Sequence, residues 1–289
     1  MINATAPMVA IVGQTASGKT ALALDLAERF DGEIICADSR TIYRGMDTGT
    51  AKPTAEERAK VPHHCIDLID PTETFSAADF KSCALEAIRD IGQRDKLPIM
   101  VGGTGLYIDA VLFDYQFGEP ADRGIRTELA TKTVEELQAM IRERGYEMPE
   151  NKQNKRYLIR TIERHGNSGD RSALRSNTIV IGLSVDGGVL ERRDTQRIDT
   201  MIESGFIEEC RVLLARFPDD SPGFLAPGYK AFIPYVRGEC TFEEARDVFI
   251  RGDMQLAKRQ RTWFQRNPSI HWVSDRSEAV DIVTTFLNK

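Results

Sequence analysis

The stretch Met8-Val9-Ala10-Ile11-Val12, followed by Gly13-Gln14-Thr15-Ala16-Ser17-Gly18-Lys19-Thr20, decides the fold. Its second half meets every required position of the G-x-x-x-x-G-K-[ST] phosphate loop. Its first half reads as a buried strand, and Ala21-Leu22-Ala23-Leu24-Asp25-Leu26-Ala27 reads as a helix with one apolar face. In that frame the motif has a mechanism. Glycines let the backbone wrap an anion, and the helix N-terminus presents unpaired N–H groups and a positive dipole end. Lys19 adds a charge and Thr20 offers a hydroxyl to Mg²⁺. Gly13, Gln14, Thr15, Ala16, Ser17, Gly18, Lys19 and Thr20 are therefore the predicted phosphate site, although the loop does not say which phosphate compound it holds.

Working outward, 289 residues exceed a typical single domain, so one large domain with an insertion, or two domains, is expected. No apolar run approaches the roughly 18 residues of a membrane span, and no membrane partner is expected. Met1 to Pro7 lacks the basic and apolar regions of a signal peptide, which makes the cytoplasm the expected compartment. Cys36, Cys65, Cys83, Cys210 and Cys240 form no C-x-x-C pair and read as reduced thiols. His63, His64, His165 and His271 show no metal-ligand spacing. The net charge of −6 hides two basic clusters: Lys152, Lys155, Arg156, Arg160, Arg164, Arg171 and Arg175, and then Lys258, Arg259, Arg261 and Arg266. Such patches on an acidic chain point to a polyanion held in one place, or to solvated helix faces.

Glu33-Ile34-Ile35-Cys36-Ala37 reads as the second strand and delivers Asp38 and Ser39 at its carboxyl end, where ligands sit in a doubly wound sheet. A carboxylate at that place coordinates Mg²⁺, acts as a base, or caps the next turn. Thr41 to Pro53 is an irregular, loop-like stretch suited to substrate contacts. Pro62 to Phe75 has no clean periodicity. Ser76 and Asp79 make a capping box for a helix through about Arg94. Leu97-Pro98-Ile99-Met100-Val101 reads as a third buried strand ending in Gly102-Gly103-Thr104-Gly105. An ordinary P-loop NTPase ends that strand in the Mg²⁺-organising Asp of a Walker B motif, so a plain ATPase is disfavoured. The glycines instead predict a close backbone approach to a ligand, with Thr104 donating its hydroxyl.

Phe117 to Asp122 is turn-rich, and the chain then becomes helical and charged. Thr133 and Glu136 box one helix, and Asn151 is expected to cap a second running to about His165, with Lys152, Arg156, Arg160 and Arg164 on one face. That stripe suits a nucleic-acid backbone. Gly166 to Ser176 reads as a polar loop, and Thr178 to Leu183 as a returning buried strand. Further helices are expected over Leu190 to Ser204, Ile207 to Ala215, Tyr229 to Val236, Phe242 to Arg251 and Gln255 to Arg266. A short strand at His271-Trp272-Val273 and a last amphipathic helix close the chain. Arg192, Arg193 and Arg197 share the first of these helices; one of them reaches the phosphates, or all are surface charge. The fold expected is α/β: a P-loop-type parallel sheet core with helices on both faces, over residues 1–118 and 177–289, and a helical insertion domain over 119–176.

In order and spacing the chain resembles the tRNA dimethylallyltransferase family. The segments that carry the resemblance are Gly13–Thr20, Ala37-Asp38-Ser39-Arg40, Ile42 to Asp47, Gly49-Thr50-Ala51-Lys52-Pro53, His64 with Ile66-Asp67, Gly102 to Tyr107, Gly228-Tyr229-Lys230, Ala257-Lys258-Arg259-Gln260 and Thr262-Trp263-Phe264. The resemblance runs from about Val9 to Arg266. It implies alkylation, by dimethylallyl diphosphate and with Mg²⁺, of the exocyclic N6 amine of the adenosine just 3′ of the anticodon. It implies Thr20 on Mg²⁺, Lys19 on the diphosphate, Arg197 as the diphosphate-binding arginine and Asp38 as general base, with Thr15 beside them in the catalytic set. The base would leave the anticodon loop and enter a channel, met from the other end by the prenyl diphosphate. Asp38, Ser39, Arg40, Thr41 and Thr104 match positions near the flipped base. Asn154, Lys155, Arg156, Arg160, Gly228, Tyr229, Lys230, Lys258, Arg259, Gln260, Thr262 and Trp263 match segments touching the anticodon stem-loop, and Arg126 a further site at the channel. Thr41 departs from the family's usual Gln, Pro227 from a small aliphatic residue and Gln265 from Arg. The partners implied are tRNA and dimethylallyl diphosphate, and a monomer is expected. Competing readings are an adenylate isopentenyltransferase acting on free AMP, ADP or ATP, a P-loop small-molecule kinase, and a non-catalytic RNA-binding protein.

Overall fold

The structure is a computed structural model and describes residues 6–117, 123–166 and 171–288. Its strands are β1 (Met8–Gly13), β2 (Gly32–Cys36), β3 (His63–His64), β4 (Leu97–Gly102), β5 (Thr178–Leu183) and β6 (Ile270–Val273). They form one sheet in the order β3-β2-β4-β1-β5-β6, parallel at every pairing. β1, β2 and β4 are buried along their whole length, as a parallel sheet requires when helices cover both faces.

The helices are α1 (Lys19–Arg29), α2 (Ala55–Lys60), α3 (Ala77–Gln93), α4 (Gly105–Leu112), α5 (Arg123–Thr131), α6 (Val134–Glu143) and α7 (Lys155–Glu163). After β5 come α8 (Gly187–Glu203), α9 (Phe206–Arg216), α10 (Pro227–Val236) and α11 (Phe242–Phe264), and α12 (Arg276–Leu287) follows β6. Val9 and Ile11 of β1, with Ile34, Ile99 and Ile181, pack on Leu22 and Leu26 of α1 and on Ala279 and Val283 of α12. Each such Leu or Ile removed from water contributes about 1.5–3 kcal/mol. A second core lies among α8 to α11, where Phe206 meets Tyr229 and Phe232 edge-on. Among the described residues no helix is long and apolar enough to cross a membrane.

The chain divides into two compact units, Met1–Leu112 with Leu174–Lys289, and Phe113–Ala173. The second has its own core of Leu129, Leu137, Ile141, Leu158, Ile159 and Ile162. The turn-rich run at 118–122, which includes the expected boundary at Glu119, and part of the polar loop, 167–170, lie outside the described residues.

Three local expectations are corrected. The helices expected over Phe242 to Arg251 and Gln255 to Arg266 are one helix, α11. Its interior Gly252 costs about 1 kcal/mol relative to Ala, too little to break a helix packed along one side. The cap of α7 is Asn154, not Asn151: its Oδ1 accepts the Arg156 N–H at 3.1 Å. Lys152 therefore precedes the helix and Arg164 ends it, which leaves Arg156 and Arg160 as the helical basic pair. β3 arises in the stretch without periodicity, where two residues are enough to add an edge to β2.

The capping boxes of Ser76 with Asp79, Thr133 with Glu136 and Thr241 with Glu244 all form. One charge is buried in the sheet. Glu33 of β2 is 2% exposed, and its carboxylate accepts from Arg94 and, at 2.7 Å, from His64 on β3. The Arg94 hydrogen bonds hold its pKa down at about 2, against the opposing effect of burial.

Candidate active site

β1 ends between β4 and β5 and delivers the phosphate loop at the carboxyl edge of the sheet. Gly18 caps α1 with φ at +91°, a conformation strained for any residue with a Cβ. Within the loop Lys19 Nζ donates to the Gln14 carbonyl at 3.0 Å. Burial brings its pKa down to about 8, and Asp38 opposes that fall. The Ser17 hydroxyl oxygen is buried without a hydrogen-bond partner, while Thr20 stands exposed on the first turn of α1.

α11 supports this loop from the side. Gln14 Nε2 donates to the Ala257 carbonyl at 3.2 Å, and the Thr15 N–H donates to Gln260 Oε1 at 2.7 Å. Gln260 is buried, and so serves the phosphate loop. The same helix explains the glycines after β4. A Cβ on Gly103 would lie 2.1 Å from Gln260 Nε2, and one on Gly105 2.3 Å from the Trp263 ring; on Gly102 it would lie 2.0 Å from the Ala37 carbonyl oxygen. The close approach expected there for a ligand is made by the protein itself. Thr104 is used in the same way, since its Oγ1 accepts the Ser39 N–H at 3.0 Å.

Asp38 leaves the end of β2 and does two things. Its Oδ1 accepts the Arg40 N–H at 2.8 Å, which caps the turn, and its side chain lines a cavity of about 320 Å³. Thr15, Ser39, Arg40, Thr104, Arg197, Arg259, Gln260 and Trp263 line the same cavity. Arg197 reaches it from α8, donating through Nη2 to Asp194 at 2.8 Å and to Asp253 of α11. Burial pushes Asp253 up to about 6, against the pull of Arg197. Arg197 also lines a second cavity, of about 810 Å³, with Arg193, Thr54 and Thr200. One guanidinium thus borders both spaces. Of the three arginines read on α8, Arg197 is the one beside the phosphate loop.

This constellation sets a phosphate-loop motif and a carboxylate, Asp38, at one cavity, with no acidic residue at the end of β4. The IPP transferase family model matches residues 41–267. The chain belongs to the IPP transferase family. It is 41% identical to a tRNA dimethylallyltransferase of an Exiguobacterium species, over 92% of this chain and 90% of that one. It is 43% identical to tRNA dimethylallyltransferase 2 of Geotalea uraniireducens, over 92% and 91%. The crystal structure of a tRNA isopentenylpyrophosphate transferase from Bacillus halodurans superimposes with a TM-score of 0.76, at 38% identity, covering 98% of this chain and 97% of that one. A eukaryotic dimethylallyltransferase shares the fold with a TM-score of 0.84 at 23% identity, over 98% and 80% of the two chains.

Within this family member the residues expected on RNA divide into three groups. Arg40, Arg259 and Trp263 border the cavity, and Lys230, Lys258 and Thr262 are exposed on the same unit. Asn154, Lys155, Arg156 and Arg160 belong to the second unit with Arg126, whose guanidinium is paired with Glu163 at 2.7 and 2.8 Å. Gly228, Tyr229 and Thr41 are buried and present no surface to RNA. Tyr229 is a correction with a clear cause: its hydroxyl donates to Glu209, whose carboxylate also accepts the N–H groups of Asp47, Thr48 and Gly49 at 2.8–2.9 Å. Tyr229 therefore supports the cavity wall at Gly49, against which its ring packs.

Sequence reading missed Asp194, Asp253 and Glu209. Asp253 carried a signal, because 253, 256, 257 and 260 follow helical spacing once α11 is taken as continuous. Asp194 carried one as well, standing one helical turn before Arg197 on the same helix, whereas Glu209 carried none, since the loop N–H groups it accepts lie far away in sequence.

Proposed function

We propose that the protein transfers a dimethylallyl group from dimethylallyl diphosphate to the N6 amine of the adenosine 3′-adjacent to the anticodon in tRNA. The observation that carries this reading is the shared cavity, lined by Thr15 of the phosphate loop, by Arg197 and by Asp38. The loop N–H groups, Lys19 and Arg197 bind the diphosphate and stabilise its charge as the allylic C–O bond breaks. Asp38 accepts the proton from N6 as that nitrogen bonds to the allylic carbon. Such a positioned base contributes about 10²–10⁴-fold. Lys258, Lys230 and Arg156 supply exposed positive charge for the RNA backbone.

The residues present fit Mg²⁺. Thr20 offers one hard oxygen, exposed on the first turn of α1. That suits an ion held mainly by substrate oxygens and water. Mg²⁺ bound there would neutralise charge on the departing diphosphate. The reading places the protein in the cytoplasm with its tRNA, as a monomer.

The test is incorporation of labelled dimethylallyl into unmodified tRNA with Mg²⁺, beside AMP and ADP as acceptors. Label in tRNA alone is expected. Label only in the free nucleotide, or in no acceptor, refutes the reading.

A further inference from the structure

Arg197 is held between two buried carboxylates. Asp194, one helical turn earlier on α8, is fully buried, and Asp253 is 4% exposed on α11. Two polar atoms of this cluster, Arg197 Nε and Asp194 Oδ2, are buried without a hydrogen-bond partner. The inner charges of the site are thus Lys19 and Arg197 against Asp38, Asp194 and Asp253, with Arg40 and Arg259 at the cavity wall. Of the carboxylates that line the cavity, Asp253 is the one that holds Arg197, so it competes with an arriving anion for that guanidinium. An arriving trianion meets Asp253 as a like charge, and protonation of that carboxyl relieves the repulsion.

We propose that Asp253 takes up a proton when a diphosphate enters the cavity, which frees the Arg197 guanidinium to turn its charge toward the anion. The inference rests on the diphosphate reading of this site. In the empty protein Asp253 already titrates near 6, raised by burial and by Asp194 and Asp38 and lowered by Arg197. A bound anion adds a further like charge and raises it again. Around neutral pH the free site is ionised at Asp253 and the occupied one is protonated. Asp194 remains the ion-pair partner of Arg197, so the guanidinium keeps a positioning contact on its own helix while its second partner becomes neutral.

The experiment is calorimetric titration of the full-length protein with Mg²⁺ and inorganic diphosphate, in two buffers of different ionisation enthalpy. Diphosphate carries its own protons, so the informative quantity is the difference between wild type and Asp253→Asn. Wild type is expected to take up close to one proton more than Asp253→Asn at neutral pH. Its affinity is expected to climb as pH falls toward about 6 and to flatten below that, whereas the variant's affinity follows only the titration of the ligand. Asp253→Glu restores a carboxyl and is expected to restore the buffer-dependent heat, which a purely structural role for Asp253 would not do. Equal proton uptake in wild type and Asp253→Asn overturns the inference. Absence of diphosphate binding to wild type overturns the diphosphate reading, and the inference with it.

Discussion

Replacing Asp38 separates its two roles, because Asn keeps one and Ala keeps neither. In Asp38→Asn the side-chain oxygen still accepts the Arg40 N–H that Asp38 takes at 2.8 Å, so the turn after β2 survives. The amide cannot accept the proton from N6. The rate of the chemical step is therefore expected to fall about 10²–10⁴-fold, or about 2.7–5.5 kcal/mol of barrier. In Asp38→Ala the same loss is joined by that of one hydrogen bond, worth about 1 kcal/mol, a fall in melting temperature of about 2 °C for a chain of this size. Single-turnover transfer of labelled dimethylallyl to saturating tRNA reads the first quantity, and thermal unfolding reads the second. A rate for Asp38→Asn within a few fold of wild type would show that the carboxylate is only a cap. A loss of tRNA affinity matching the loss of rate would equally refute a role confined to the proton.

Gln260→Leu removes the acceptor for the Thr15 N–H and is expected to raise KM for dimethylallyl diphosphate about tenfold with tRNA KM unchanged; equal rises in both would place Gln260 on the RNA instead. Glu33 has its folded pKa held at about 2, below an unfolded value of about 4.3, so its stabilisation is present above about pH 4.3 and is lost as pH falls toward 2. After discounting for Arg94, which is 40% exposed, about 2 kcal/mol is at stake. Denaturant titrations between these pH values should show that loss in wild type and a flatter profile in Glu33→Gln. Arg156→Ala should lower the salt slope of tRNA binding by about one, and an unchanged slope would place α7 away from the RNA.

The features legible in the sequence were those whose cause is local. The phosphate loop, the apolar runs of β1, β4 and β5, and the capping boxes of Ser76 and Thr133 each depend on residues within a few positions of one another. What escaped depended on partners far along the chain. The glycines at 102, 103 and 105 exclude a Cβ, but only the structure shows that Ala37, Gln260 and Trp263 occupy the space. Tyr229 stands in a motif that resembles an RNA-contacting segment, yet Glu209, twenty residues before it, draws its hydroxyl into the core. β3 is too short to carry a period. The helix expected to stop at Arg251 runs on through Gly252, because packing along α11 overrides the low propensity of that residue.

α11 meets the phosphate loop through Ala257 and Gln260, Arg197 through Asp253 and Asp109 of α4 through Trp263. These four positions span about 15 Å of a single rod. The helix works as a ruler. Inserting or deleting one residue between Asp253 and Trp263 would rotate every mark beyond it by about 100° and break the set together. The side chains at the marks can be exchanged one at a time, but the distances between them cannot, so variation in this family should reach α11 as substitution and never as a change of length.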